Sequence, residues 1–365
     1  MKVLTLSRYA LGTCASIVFL AACSGGERIV PSWVTQPIEP VNSTKAFGTL
    51  NPWISGSHLY VVNDGGNTVT VYGAGSGSVL RTITQGLFVP YSLAFDSSGN
   101  LYVANNRNVT VYATGSTNLI RTITNGIGVP SRLAFDQAGN LFVANVGQPS
   151  IGGNTVTVYA PGSMSPLRTI TQGIDGPQYL AFDSNGNLYV ANNLNNTVTV
   201  YAGGKNRLSR TITDGLTKPV VLSFDATGNL YVANFGGGIS VYAPGTKKVL
   251  RKISQGVVRP MALAFDASGN LFAANSYAFA KRQGCTVTAY APGNGSPFQT
   301  ISDDVHNPDA LAFDSSGDLY VANYNAACGG GNRRGNVTVY APGSTSVLLK
   351  ISKGINNPTD AAFGP

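Results

Sequence analysis

The chain has 365 residues and a formal net charge of +8, yet only 11% of it is charged. Its lysines and arginines are scattered over the whole length instead of gathering into a run with interleaved aromatics, which argues against a nucleic-acid partner. Its length allows two domains, but the internal repetition described below argues for one.

The first predicted element is an export signal. Lys2 and Arg8 precede the apolar run "ALGTCASIVFL", which leads into Leu20-Ala21-Ala22-Cys23. A charged start, a short apolar stretch and small residues at the cut have that layout, and the run is too short to remain in a bilayer as a helix. A cysteine directly after Leu-Ala-Ala resembles the lipobox of bacterial lipoproteins. The resemblance implies a signal peptide over 1–22 and acylation of Cys23 as the new N-terminus. Two or more chains anchor stably, each buried methylene contributing about 0.8 kcal/mol. The expected location is extracytoplasmic, lipid-anchored to a bacterial membrane, with the outer membrane or cell surface favoured. Without Lys2 and Arg8 the chain keeps 22 basic residues against 16 acidic ones. Residues 23–50 mix Ser, Gly and Pro without periodicity and read as a flexible tether.

From residue 51 onward the chain repeats. "LYVAN" or a near copy starts at 59, 101, 141, 188, 230, 271 and 319, at spacings of 40 to 48 residues. Each unit holds four strand-like runs: "LAFD" after a proline (a), "LYVAN" (b), "TVTVYA" (c) and "LRTIT" (d). Their links have turn chemistry, as in "FDSSGN" at 95–100 and "APGS" at 160–163. An all-strand period in the forties predicts an all-β propeller of seven four-stranded blades over 51–365. The first b run lacks a preceding a run, whereas "NPTDAAFGP" follows the seventh d run. The C-terminal strand is therefore expected to complete blade 1 and leave no open sheet edge there. The proline, the Asp and Gly turn, the Tyr-Val-Ala-Asn strand and the Val-rich strand after it make the units resemble NHL and YVTN-type β-propeller repeats. The resemblance implies a propeller and says little about activity, since such propellers serve as sensor domains, binding scaffolds and, less often, enzymes.

Propeller enzymes of the gluconolactonase and virginiamycin-lyase kinds place Glu, His, Asn and Asp at the channel, usually with a divalent metal. Here Glu27 and Glu39, the only glutamates, lie in the tether, and the two histidines, His58 and His306, are not at ligand spacing. Asp96, Asp136, Asp183, Asp225, Asp266 and Asp314 recur at one turn position, so turn formation is their expected role. Asn63, Asn105, Asn145, Asn192, Asn234, Asn275 and Asn323 end the b runs, where capping is expected and a ring binding a sugar or an ion is the alternative.

In a repeat protein function can differ where blades differ. The b-to-c and d-to-a connections share one face, called the top here, and the departures concentrate there. Blade 3 carries "VGQPSIGG", blade 6 "SYAFAKRQG" and blade 7 "YNAACGGGNRRG". The neighbouring loops of blades 6 and 7 offer Tyr277, Phe279, Lys281, Arg282, Tyr324, Arg333 and Arg334, residue types that dominate binding hot spots. Cys14 leaves with the signal and Cys23 takes lipid, which leaves Cys285 and Cys328 in these same two loops and predicts a disulfide between them. The expected function is a non-catalytic binding or scaffold module for a protein, peptide or glycan at the top face. No catalytic residue and no cofactor are expected, and the protein should be a monomer. The alternative is a metal-assisted hydrolase or lyase built on Asp303, Asp304, His306, Asp309 and Asp360.

Overall fold

Strands with apolar residues on both faces need cover on both sides, and these strands find it by standing between neighbouring blades. A computed structural model describes residues 58–147, 152–205, 207–276, 285–325 and 334–365. Those residues form 28 strands, β1 to β28, in seven antiparallel sheets of four, and no helix occurs among them. The fold is a seven-bladed β-propeller.

The innermost strands are β4 (Ser92–Phe95), β8 (Val129–Phe135), β12 (Pro177–Phe182), β16 (Pro219–Phe224), β20 (Pro260–Phe265), β24 (Pro308–Phe313) and β28 (Pro358–Gly364). Each touches the next around the ring, and β24 touches β28, which touches β4. Blade 1 has the order β28, β1 (His58–Asn63), β2 (Thr68–Gly73), β3 (Val79–Ile83). The expected closure by the C-terminal strand is thus observed, with Leu59 opposite Phe363 and Val61 opposite Ala361. The second strand of most blades is buried along its whole length, as in the Leu188–Asn192 strand. The outer strand alternates instead, half-buried and exposed residues leading to one buried isoleucine, because it pairs along one edge only and lies at the rim.

Two sets of contacts join each blade to the next. A second-strand aromatic of one blade meets the inner-strand Phe of the following blade edge-on, from Tyr60–Phe95 at 4.9 Å round to Tyr320–Phe363 at 5.0 Å. Such pairs contribute about 0.5–1.5 kcal/mol each beyond their burial. Each third-strand tyrosine donates its hydroxyl backward to a main-chain carbonyl of the preceding blade: Tyr112 to Gln85, Tyr159 to Asn125, Tyr290 to Gln255, and Tyr72 to Lys353 across the closure. These hydroxyls are buried, which pushes Tyr242 and Tyr340 up to about 12. They therefore stay protonated and keep donating throughout the neutral range.

The repeated Asp and Asn are spent on the fold. Asp96 accepts from the Ser98 and Asn100 amides at 2.9 Å through Oδ1 and from the Asn100 side chain through Oδ2. Gly99 completes that turn at φ +79, a conformation any Cβ would strain. The asparagines ending the second strands are buried, and they tie the second strand to the third strand and to the connection that enters the blade. Asn192 donates to the Val190 carbonyl and to Thr197 and Thr199, while its Oδ1 accepts from the Asp175 amide. Their amides face inward to the backbone and carry no open valence toward a ligand.

Candidate functional site

A proline opens each inner run, and the residue after it is the extra residue of a β-bulge in six blades. The register slips around Ser131, Gln178, Val220, Met261, Asp309 and Thr359. Proline cannot donate to the ladder, so pairing is already interrupted where the bulge forms. The bulge re-aims a side chain at the top mouth of the channel. Ser131 donates to the Pro177 carbonyl of the following blade at 2.7 Å, and Thr359 to the Pro90 carbonyl at 3.3 Å. Asp309 holds the equivalent place in blade 7 and is the single charged residue of the six.

One step further along, the channel wall is crossed by an ion pair. Arg132 on β8 reaches past β4 to Asp360 on β28, with Nη1 to Oδ2 at 3.4 Å. Its other terminal nitrogen donates to the Tyr179 hydroxyl at 3.0 Å, and the guanidinium lies 4.3 Å from the Tyr179 ring centroid. Asp360 is 1% exposed and also accepts from the Leu93 amide at 3.1 Å. Burial raises the Asp360 carboxyl, against the pull of Arg132, the Leu93 amide and Ser92. Four consecutive blades thus share one buried polar chain, while blades 5, 6 and 7 line the same level with Val221, Ala262 and Ala310.

Asp309 and Asp360 do flank one another, as their places in the sequence suggest, and Asp64 joins them. Asp64 follows β1 and accepts from the Tyr324 hydroxyl at 3.1 Å through Oδ2, while no side-chain donor reaches its buried Oδ1 among the described residues. Burial raises Asp64, opposed by Tyr324 and the Gly65 amide. Asp309 is pushed up to about 7, first by burial and then by the charges of Asp360 and Asp64. It keeps part of its surface open although protein crowds the carboxyl closely, and no hydrogen bond or ion pair reaches it among the described residues.

This raised group gives the fold a pH dependence. Folded Asp309 titrates near 7 against an ordinary 3.8, so the fold loses stability as pH rises between those values. Asp309→Asn should match the wild type at pH 4 and exceed it by on the order of 2–4 kcal/mol above pH 7.5. Urea melts across that range check it, and parallel curves at every pH would contradict it.

The remaining acids of the alternative set lie elsewhere. Asp304 pairs with His306 at 3.0 Å and with Lys350 of the outer strand β27 (Leu349–Ile351) at 2.7 Å. Asp303 accepts from the Val347 amide at 3.1 Å. The Asp303 and Asp304 side chains are therefore engaged with the outer hairpin of blade 7, and the His306 amide with Asn323, whereas Asp309 and Asp360 sit on the inner strands β24 and β28. No group of three His, Cys, Asp or Glu able to hold a metal occurs among the described residues.

Of the enlarged loops, Tyr324, Arg334 and Cys285 are described; Tyr277, Phe279, Lys281, Arg282, Arg333 and Cys328 lie outside the described residues, as does Cys23. Tyr324 and Arg334 prove to be strand residues, because the ladder of β25 (Leu319–Asn325) and β26 (Arg334–Tyr340) continues to Asn325 opposite Arg334. Arg334 is exposed. Tyr324 turns toward blade 1 and not toward blade 6, drawn by Asp64. Cys285 is 4% exposed and sits at φ +58 just before β22 (Thr286–Tyr290). In blades 1, 3 and 4 the same place holds Asn67, Asn154 and Asn196, also at positive φ, each accepting the amide of the following blade's entry loop. Cys285 accepts that amide, from Asn307, through its sulfur at 3.4 Å.

No family model matches the chain, and no curated protein matches it. Solved structures do. A functionally unknown protein from Desulfotomaculum acetoxidans DSM 771 superposes with a TM-score of 0.67 at 14% identity, covering 84% of this chain and 98% of that one. The WD40 β-propeller domain of Doa1 superposes with a TM-score of 0.56 at 17% identity, covering 73% and 85%. The likeness is one of fold.

Proposed function

We propose that the chain is a lipid-anchored, extracytoplasmic β-propeller of the NHL/YVTN repeat type that binds a protein, peptide or glycan at its top face without catalysing a reaction. The observation that carries this reading is the division of labour among its polar residues. Those repeated in every blade are consumed by turns, caps and blade-to-blade bonds, and those that break the repeat gather at the top. The Leu-Ala-Ala-Cys23 motif supports the anchor.

A disulfide between Cys285 and Cys328 fits the same picture. Left-handed backbone suits Asn and is costly for cysteine, so a cysteine where three blades place Asn is explained by what its sulfur can bond. Pinning the loops of blades 6 and 7 together lowers the entropy lost on binding and adds about 2–4 kcal/mol of stability. The hydrolase or lyase alternative is disfavoured, since its residues divide between the channel and the outer strand.

The test uses the Cys23→Ser form, expected to leave the membrane fraction, on glycan and peptide arrays. Selective retention should fall at least tenfold when Arg282 and Arg334 are both changed to alanine and hold for Lys248→Ala on the opposite face. No selective retention, or equal loss in both variants, would refute the reading.

A further inference from the structure

The end of the propeller opposite the top, its underside, carries the turns between first and second strands and the hairpins between third and outer strands. Where the outer strand begins, just past the hairpin, six of the seven blades place a large apolar side chain that is 48% to 60% exposed: Leu80, Ile120, Leu167, Leu250, Phe298 and Leu348. Scattered surface apolars need no explanation, but one repeated at the same place does. The strand neighbours already serve the fold, since Val79 packs against the core shared by blades 7 and 1 and Arg81 lies over the Tyr60 ring. Blade 4 holds the exposed Ser209 at this place, between Leu208 and Arg210 as Leu80 lies between Val79 and Arg81. The fold therefore does without an apolar group there.

Two further observations say what covers this rim. His58 lies opposite Gly73 and Gly364, at the hairpin end of blade 1. Residues 24–57, which lead from Cys23, therefore join the propeller at that same end. The seven hairpins also contain Lys205, Arg207, Lys247 and Lys248, all exposed, and no acid. The described acids of this end belong to the inner turns, where Asp96 and Asp183 each accept two amides through Oδ1. Basic hairpins are drawn to anionic headgroups, and half-exposed Leu, Ile and Phe gain by entering the acyl boundary.

We propose that the underside is a membrane-contact surface: its apolar rim enters the headgroup region of a bilayer, its basic hairpins meet anionic lipid, and the top face is held outward. The inference rests on the proposed anchor, which brings this end to the bilayer at high effective concentration and leaves the top face free to bind.

Co-flotation of the mature chain bearing Cys23→Ser with vesicles of phosphatidylethanolamine and phosphatidylglycerol in equal parts tests it, because this form carries no acyl chain. Saturable partition is expected, at least tenfold weaker in the combined variant Leu80→Ser, Leu250→Ser, Leu348→Ser. Serine already stands at this place in blade 4, and circular dichroism melts verify the fold. Lys247→Ala with Lys248→Ala, or vesicles of phosphatidylcholine alone, should weaken partition at least threefold, whereas Leu194→Ser on the top face should not change it. In a chain with Trp33 and Trp53 changed to phenylalanine, brominated lipid should quench Leu250→Trp and spare Leu194→Trp. Absence of partition, or equal weakening by Leu194→Ser, overturns the proposal. A non-partitioning dimer that the three serines dissociate also overturns it and assigns the rim to a second copy. Vesicle binding by the Cys23→Ser form beside an unacylated wild type would refute the anchor and leave the surface standing, and the reverse pair would refute the surface alone.

Discussion

A chain stopped at Asn357 should not fold cooperatively. Residues 358–365 supply β28, and without them β1 loses the ladder from His58–Gly364 to Asn63–Pro358 and exposes its inner edge. Phe363, 4% exposed, leaves the ring of edge-on pairs at Tyr320, a loss of about 3–5 kcal/mol by itself. The Tyr60 hydroxyl loses the Pro365 carbonyl, and Arg132 loses Asp360. Together these rival the 5–15 kcal/mol by which a typical domain is stable. The expected result is a broad, low-amplitude thermal transition with dye-binding apolar surface. A synthetic peptide of residues 356–365 added in trans should restore a sharp transition by pairing with β1. A truncated chain that melts sharply at the wild-type midpoint would show that six complete blades suffice.

Arg132→Met should cost about 3–5 kcal/mol at pH 8, because it strands the Asp360 carboxylate at 1% exposure without its cation. Asp360 already lies above its ordinary range through burial, and Arg132 is the first of the influences opposing that rise. In the variant the carboxyl therefore protonates at higher pH still. A group with a raised folded pKa destabilises progressively as pH climbs through that value, so the penalty should shrink steadily from pH 8 to pH 5. The double variant Arg132→Met, Asp360→Asn should recover most of the loss, since removing both charges ends the desolvation cost. Urea unfolding of the wild type, both single variants and the double variant forms the cycle. A double variant no more stable than Arg132→Met would mean that packing against Tyr179, and not charge, sets the cost.

Much of the top face was legible from residue types alone. The shared position of Asp309 and Asp360 at the start of inner strands puts them side by side, and the recurrence of the asparagines points to capping. The grouping of Asp303, Asp304 and His306 with them failed for a physical reason. A d-to-a connection runs from the outer strand to the inner one, so five residues of sequence can separate the rim from the channel, and Lys350 captures the outer end. The glycine-rich stretch after Tyr324 carries turn chemistry and points to a loop there, whereas the ladder with β26 continues through Asn325.

By itself the sequence determined the strands, their turns and the number of blades, because these depend on contacts between residues a few positions apart and on a period repeated seven times, and it revealed the closing strand because the repeat lacks one inner run at its start and has one left over at its end. The tertiary structure alone decided which single residues meet. Arg132 and Asp360 are 228 positions apart, and Tyr324 and Asp64 are 260 apart. Their meeting depends on the angle between blades and on bulges after the prolines, quantities that no local propensity encodes. The charge crowding at Asp309 arises in the same way: one carboxylate at a bulge position that is uncharged in the other five bulged blades, made consequential by the acids that ring closure brings to it.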